Sequence, residues 1–226
     1  MPTKPTKTTS HAATHVPTHP AHEHPELPCL FHLSAEYNGD RADGVTHMDQ
    51  MIRLYQQGAW QDNPLYMERT LAQAHTLAQL CGAPAAHSLY YSDVSLIKAG
   101  GAHSPKEQYR ANVRASLPQH LSAFKQHTPT AVAVAGGEAL SAFVEIVLPE
   151  LIAAGCAPRV ILGVRNPGAE GHRGSWRDWE PRYLNAARDL SGQLAATREG
   201  VAIFKLTSPG AQTPFRLERL ERRARR

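Results

Sequence analysis

Two short runs that are apolar at nearly every position, Thr130 to Ala135 (TAVAVA) and Arg159 to Val164 (RVILGV), constrain this chain more than any other feature. A strand with one wet face alternates apolar and polar residues. A strand covered on both faces does not, and such strands belong to parallel sheets flanked by helices. The first run stops at Gly136-Gly137, and helical spacing follows from Glu138 to Ala154, across Pro149. The second stops in a loop rich in Gly and Pro, Arg165 to Gly174 (RNPGAEGHRG).

The same alternation extends in both directions. Leu30, Phe31 and Leu33 make a first strand after Pro28, and Ser88 to Ile97 a second. Helices are expected over Val45–Gln57, from the Asn63-Pro64 cap to Cys81, and over Trp176–Thr197. Ser104-Pro105-Lys106-Glu107 has the pattern of a capping box, with Pro at the first helical position and a helix running to His127, kinked at Pro118. Val201 to Leu206 is the last expected strand, and the tail after Pro214 is expected to be a basic helix. The fold class is therefore α/β: three α/β/α layers around a central, mostly parallel sheet. Ligands in such sheets bind beyond the carboxyl ends of the strands. Four loops are singled out: Ser34–Gly44, Ser92–Ser104, Gly136–Gly137 and Arg165–Gly174.

Composition sets the limits. With 42% hydrophobic and 19% charged residues, the 226-residue chain is not a wholly disordered one. Residues 1–27, rich in Thr, Pro and His, are expected to be a disordered tail, because so few large apolar side chains cannot offset the entropy of ordering. Its His11, His15, His19, His22 and His24 can bind a metal only if something fixes their geometry, and nothing does, so no metal is expected there. The domain then spans 28–207, and 208–226 form a basic arm: from Arg216 onward, six Arg against two Glu match the whole formal charge of +4. A basic arm points to an anionic partner such as nucleic acid. Cys29, Cys81 and Cys156 form no CxxC pair, which argues against structural zinc or a disulfide framework and for a reducing cytoplasm. No apolar stretch reaches the roughly 18 residues of a membrane span, and no secretory signal is expected.

Several chemistries lose their usual signals. Neither GxGxxG nor GxxxxGK[ST] occurs, which removes the dinucleotide and P-loop fingerprints. There is no GxSxG, and Ser141 falls inside an expected helix. His120 and His127 are seven apart and His172 stands alone, so no metal site is expected.

The pair TAVAVAGGEAL and RVILGVRNPGAEGHRG resembles the uracil-DNA glycosylase superfamily. There, a strand–Gly–helix unit precedes a strand ending in a His-Pro-Ser loop, often with a trailing Arg-Gly, that enters the DNA minor groove. Asn166-Pro167-Gly168 stands in the His-Pro-Ser place and Arg173-Gly174 in the Arg-Gly place. The family's water-activating loop after the first strand is of the type Gly-Gln-Asp-Pro-Tyr. The residues there in this chain are Ser34-Ala35-Glu36-Tyr37-Asn38. A base-reading Asn ends the family's middle strand, where this chain has Ser92 and Asp93. The likeness covers residues 28–200 in order of elements and is specific in the loop after the fourth strand.

The resemblance implies a cofactor-free, monomeric DNA glycosylase. Glu36 would activate water, with Asp40 and Asp43 as substitutes, and Asn38 would hold the water or a phosphate. Asn166 would stabilise the leaving base. Ser92 or Asp93 would read that base, and Tyr37, Tyr90 or Tyr91 would stack on it. Gly136, Gly137, Gly168, His172 and Arg173 would contact DNA. An ionised Asp only accepts hydrogen bonds, so Asp93 favours a cytosine-type base with its N4 donor over uracil. Within the family this points to the antiviral branch that excises glucosylated hydroxymethylcytosine from phage DNA. The alternatives are a uracil or mismatch glycosylase, a non-catalytic nucleic-acid binder on the same scaffold, and a small-molecule transferase or nucleotide-processing protein.

Overall fold

The computed structural model describes residues 29–36, 73, 88–97, 104–166, 200–207 and 216–220. The expected tail and the helices over 45–57 and 176–197 lie outside these residues, as does the 63–81 helix except for the helical residue Gln73. The strands are β1 (Cys29–Glu36), β2 (Ser88–Ser95), β3 (Ala131–Ala135), β4 (Val160–Val164), β5 (Ala202–Thr207) and β6 (Arg216–Arg219). They form one sheet in the order β2-β1-β3-β4-β5-β6, parallel except for the last pair. The chain steps from β1 to one side for β2, then to the other side for β3. That reversal opens a crevice at the carboxyl ends of β1 and β3.

One sheet face buries Phe31, Leu33, Val132, Val134, Ile161 and Ile203 against helices that follow β2 and β3. These are α1 (Lys106–Ala115), α2 (Leu117–His127), α3 (Gly137–Ala142) and α4 (Leu148–Ala153). Phe31 meets Phe124 edge-on with ring centroids 4.7 Å apart, a geometry that adds about 0.5–1.5 kcal/mol to area burial.

Pro149 is accommodated by a π-helical turn, Phe143–Val147, between α3 and α4. Proline clashes with the carbonyl four residues back and cannot donate to it. The wider turn relieves both problems, and the Leu148 N–H reaches back five residues to the Phe143 carbonyl.

Three expectations are corrected. The residue capping α1 is Pro105, without a side-chain cap, so the Ser104 box does not form. The Ser104 N–H donates instead to the Glu36 carboxylate at 3.1 Å. The helical break falls at Ser116, not Pro118. Pro118 sits in the first turn of α2, where its missing N–H has no intrahelical partner to lose. Ser116 Oγ donates to the Asn112 carbonyl and accepts the Leu96 N–H at 3.0 Å, fixing the break to the chain just after β2. Where a basic helix is expected after Pro214, residues Arg216–Arg219 form strand β6, antiparallel to β5 with Leu206 opposite Leu217, and 221–226 lie outside the described residues. The edge of β5 offers a row of backbone donors and acceptors, and pairing them outweighs the segment's local helical preference.

Gly163 on β4 lies under Leu140 of α3. A Cβ there would fall inside contact distance of Leu140 Cδ2 and 3.3 Å from its Cγ. Gly163→Ala is expected to lower stability by about 1–3 kcal/mol in denaturant melts. Combined with Leu140→Ala, it should cost clearly less than the two single losses added together; strict additivity would show that no such contact is made.

Candidate active site at the carboxyl edge of the sheet

A cleft of ≈ 480 Å³ opens at the β1/β3 reversal, lined by Ala35, Glu36, Ser104, Lys106, Tyr109, Gly136, Gly137, Glu138, Ala139 and Asn166. That volume lies within the range of about 300–1,000 Å³ typical of small-molecule sites. All four loops singled out in the sequence contribute a lining residue: Glu36, Ser104, the Gly136-Gly137 pair and Asn166.

Glu36 is the central group. It ends β1 and is only 8% exposed. One carboxylate oxygen accepts the Ser104 N–H, while the other, Oε1, has no hydrogen-bond partner among the described residues. A buried carboxylate oxygen without a donor is costly unless a ligand or water supplies one. Oε1 itself has almost no accessible surface, so this unpaired acceptor lies beneath the cleft wall that Glu36 helps to form.

The two glycines do different work. Gly136 has φ +109, a conformation closed to other residues at little cost, and its N–H donates to the Val164 carbonyl at 2.9 Å. This turn brings the end of β3 beside the end of β4, with Asn166 Cβ 3.9 Å from where a Gly136 Cβ would stand. Gly137 begins α3, and a Cβ added there would meet nothing within 4 Å. Packing thus does not require a glycine at 137, and its bare backbone keeps that part of the cleft open.

Helix α1 supplies a wall. The Tyr109 hydroxyl donates to the Ala35 carbonyl at 2.9 Å, and burial, with the charges of Asp93 and Glu36, pushes its ionisation far above the ordinary range. On the rim, Glu138 bridges Lys106 at 3.1 Å and Arg110 at 3.0 Å, and Arg110 also reaches Glu145.

The pleat separates the two expected base readers. Ser92 pairs in register with Leu33 and is wholly buried on the helix-packed face. Asp93 pairs with Ser34 on the opposite face. Neither lines the cleft. Asp93 is 5% exposed, and burial, reinforced by the neighbouring Glu36 carboxylate, raises its pKa to about 7. Behind the cleft, buried His32 bonds Gln73 Oε1 at 3.0 Å, and the Gln73 amide donates to the Arg165 carbonyl at 2.9 Å. Burial lowers the His32 pKa to about 4.

Of the sequence-derived candidates, Glu36, Gly136, Gly137 and Asn166 meet in the cleft. Tyr37, Asn38, Gly168, His172 and Arg173 lie outside the described residues, as do the side chains of Tyr90 and Tyr91. Lys106, Tyr109, Glu138 and Gln73 were not singled out as site residues by sequence reasoning, and Ser104 only as the end of a loop. The one signal was the apparent capping sequence, which marks where α1 begins but not that its first turn faces β1. No protein-family model matches the chain, and neither the curated proteins nor the solved structures yield a match.

Asp93 gives the fold a pH signature. The unfolded chain releases this proton near 3.8 and the folded one near 7, so its contribution to stability is full below pH 3.8 and is lost as pH rises to about 7. His32 acts oppositely: its contribution is full above 6.5 and is lost as pH falls to about 4. Buried His120, whose pKa is also lowered by burial, acts in the same sense as His32, and Asp93 opposes both. In Asp93→Asn that opposing slope is gone, so denaturation midpoints should climb with pH between about 4 and 6.5 more steeply than in wild type. Identical pH profiles for the two proteins would show that Asp93 does not hold its proton in the fold.

Proposed function

We propose that this protein is a DNA glycosylase that hydrolyses the N-glycosidic bond of an extruded pyrimidine nucleotide. On this reading the sheet is the centre of a three-layer fold of the uracil-DNA glycosylase kind, and the protein works without a cofactor, as a cytoplasmic monomer. Its role is phage defence or DNA repair.

The observation that carries the reading is convergence. Glu36 and Asn166, 130 positions apart in the sequence numbering, line one cleft with the Gly136-Gly137 turn between them. Cleaving a glycosidic bond builds positive charge on the sugar and negative charge on the departing base. A carboxylate at the cleft wall with one oxygen held by the Ser104 N–H can orient water and stabilise the sugar cation. The Asn166 amide can donate to the base as it leaves. Asp93, protonated up to about pH 7, lets the Glu36–Asp93 pair carry one negative charge rather than two. Reaching such a cleft requires the nucleotide to leave the stack.

The position of Asp93 bears on the base. Since it does not line the cleft, the preference for a cytosine-type base loses its carrier, and glucosylated hydroxymethylcytosine rests on the family likeness and on the small residues Gly168 and Ala169. The Asn166 amide favours uracil as a second reading, because it can match both an N3–H donor and an O4 acceptor.

Free base and abasic product from duplexes carrying either glucosylated hydroxymethylcytosine or uracil, measured by mass spectrometry, test both readings. Release from one of the two is expected, with Glu36→Gln slower by about 10²–10⁴. Release from neither, or undiminished release by Glu36→Gln, overturns the proposal.

A further inference from the structure

We propose that Gln73 is a positioning residue that holds the Arg165–Asn166 peptide, and thereby Asn166, at the wall of the cleft. The inference rests on the reading of that cleft as the reaction site.

Gln73 is 1% exposed and its side-chain amide bridges two partners in the interior. Its Oε1 accepts from His32 Nε2 at 3.0 Å, and its Nε2 donates to the Arg165 carbonyl at 2.9 Å. The two bonds fix each other's sense. Burial keeps His32 neutral with its Nε2 proton directed at Oε1, so the amide nitrogen is left to face Arg165. His32 lies on β1, wholly buried, between β2 and β3 in the sheet. It anchors one end of the strut to a strand that is paired on both sides. The other end grips the carbonyl just past β4, one peptide before Asn166.

Among the described strand pairs, the ladder stops short of this carbonyl. The β3–β4 pairing ends at Ala135 with Val164, and the Gly136 N–H takes the Val164 carbonyl. The Arg165 carbonyl is the next acceptor along the chain. A side chain in the cleft needs its own backbone held to a fraction of an ångström, and a displacement of about 1 Å can cost on the order of a hundredfold in rate.

The test uses Gln73→Met, which keeps the length and removes both bonds, and Gln73→Asn, which keeps the amide but is too short to span both partners. NMR relaxation is expected to show the backbone order parameters of Arg165 and Asn166 falling from the rigid value of about 0.85 toward about 0.6, with Val160–Val164 unchanged. On whichever DNA substrate wild type cleaves, both variants should lose about ten- to hundredfold in kcat with KM little altered. The loss should be non-additive with Asn166→Ala, since once Asn166 is truncated there is nothing left for Gln73 to position. Unchanged order parameters in both variants, or a rate loss that simply adds to that of Asn166→Ala, overturn the proposal. If the order parameters fall but wild type releases no base from any substrate, the strut stands and the glycosylase reading fails.

Discussion

A carboxylate buried at the point where a parallel sheet reverses its winding needs hydrogen-bond donors from the protein, because burial takes away those of water. Glu36 is held from one side. The chain entering α1 gives it the Ser104 N–H, and one turn into the helix Tyr109 donates to the carbonyl of the preceding residue, Ala35. Two consecutive positions at the end of β1 are thus tied to the start of one helix. These bonds place the α1 wall over the strand end, with Glu36 and Tyr109 both lining the space between. In the expected capping box the Ser104 N–H would go to the Glu107 side chain; here it goes to Glu36 and ties the start of α1 to the end of β1.

The strands were legible because a buried parallel strand leaves a continuous apolar run with a glycine or proline stop. The site was partly legible for a related reason: carboxyl-end loops converge at a reversal whatever their sequence. Glu36, Gly136 and Asn166 follow from that geometry alone. Tyr109, Lys106 and Glu138 do not, because they come from helices whose facing is set by tertiary packing. Gln73 was hidden differently, as one polar residue within a helix-forming stretch whose partners, His32 and the Arg165 carbonyl, are distant in sequence. The β6 segment misled for a third reason. Leu217 and Leu220 are three apart, a helical spacing, yet the segment lies beside β5, and the Leu220 N–H donates to the Ile203 carbonyl. Pairing across a sheet edge leaves little local trace. Ser92 and Asp93 show the limit of reading strand ends as sites: they face opposite sides of the sheet and stop short of the cleft that Ala35 and Glu36 reach at the very end of β1.

The charges on the rim decide what the cleft can hold. Lys106, Arg110, Glu138 and Glu145 form a chain of exposed and half-exposed pairs. Single pairs of this kind add about 0–1 kcal/mol to stability, so their consequence is the local field rather than the fold. Glu138 stands in the first turn of α3, where the helix dipole favours a carboxylate, and it is shared between two cations. Among the described residues the rim cations are thereby compensated, and Glu36 is the remaining charged group of the cleft lining. A lining with that balance repels a phosphodiester and attracts a developing cation. If the occupant is a nucleotide in DNA, it enters with its sugar and base inward and its phosphates outward, and the compensating positive charge comes from groups beyond the rim. That division matches the sequence, whose uncompensated arginines are concentrated in the last eleven residues rather than in the segments that build the cleft.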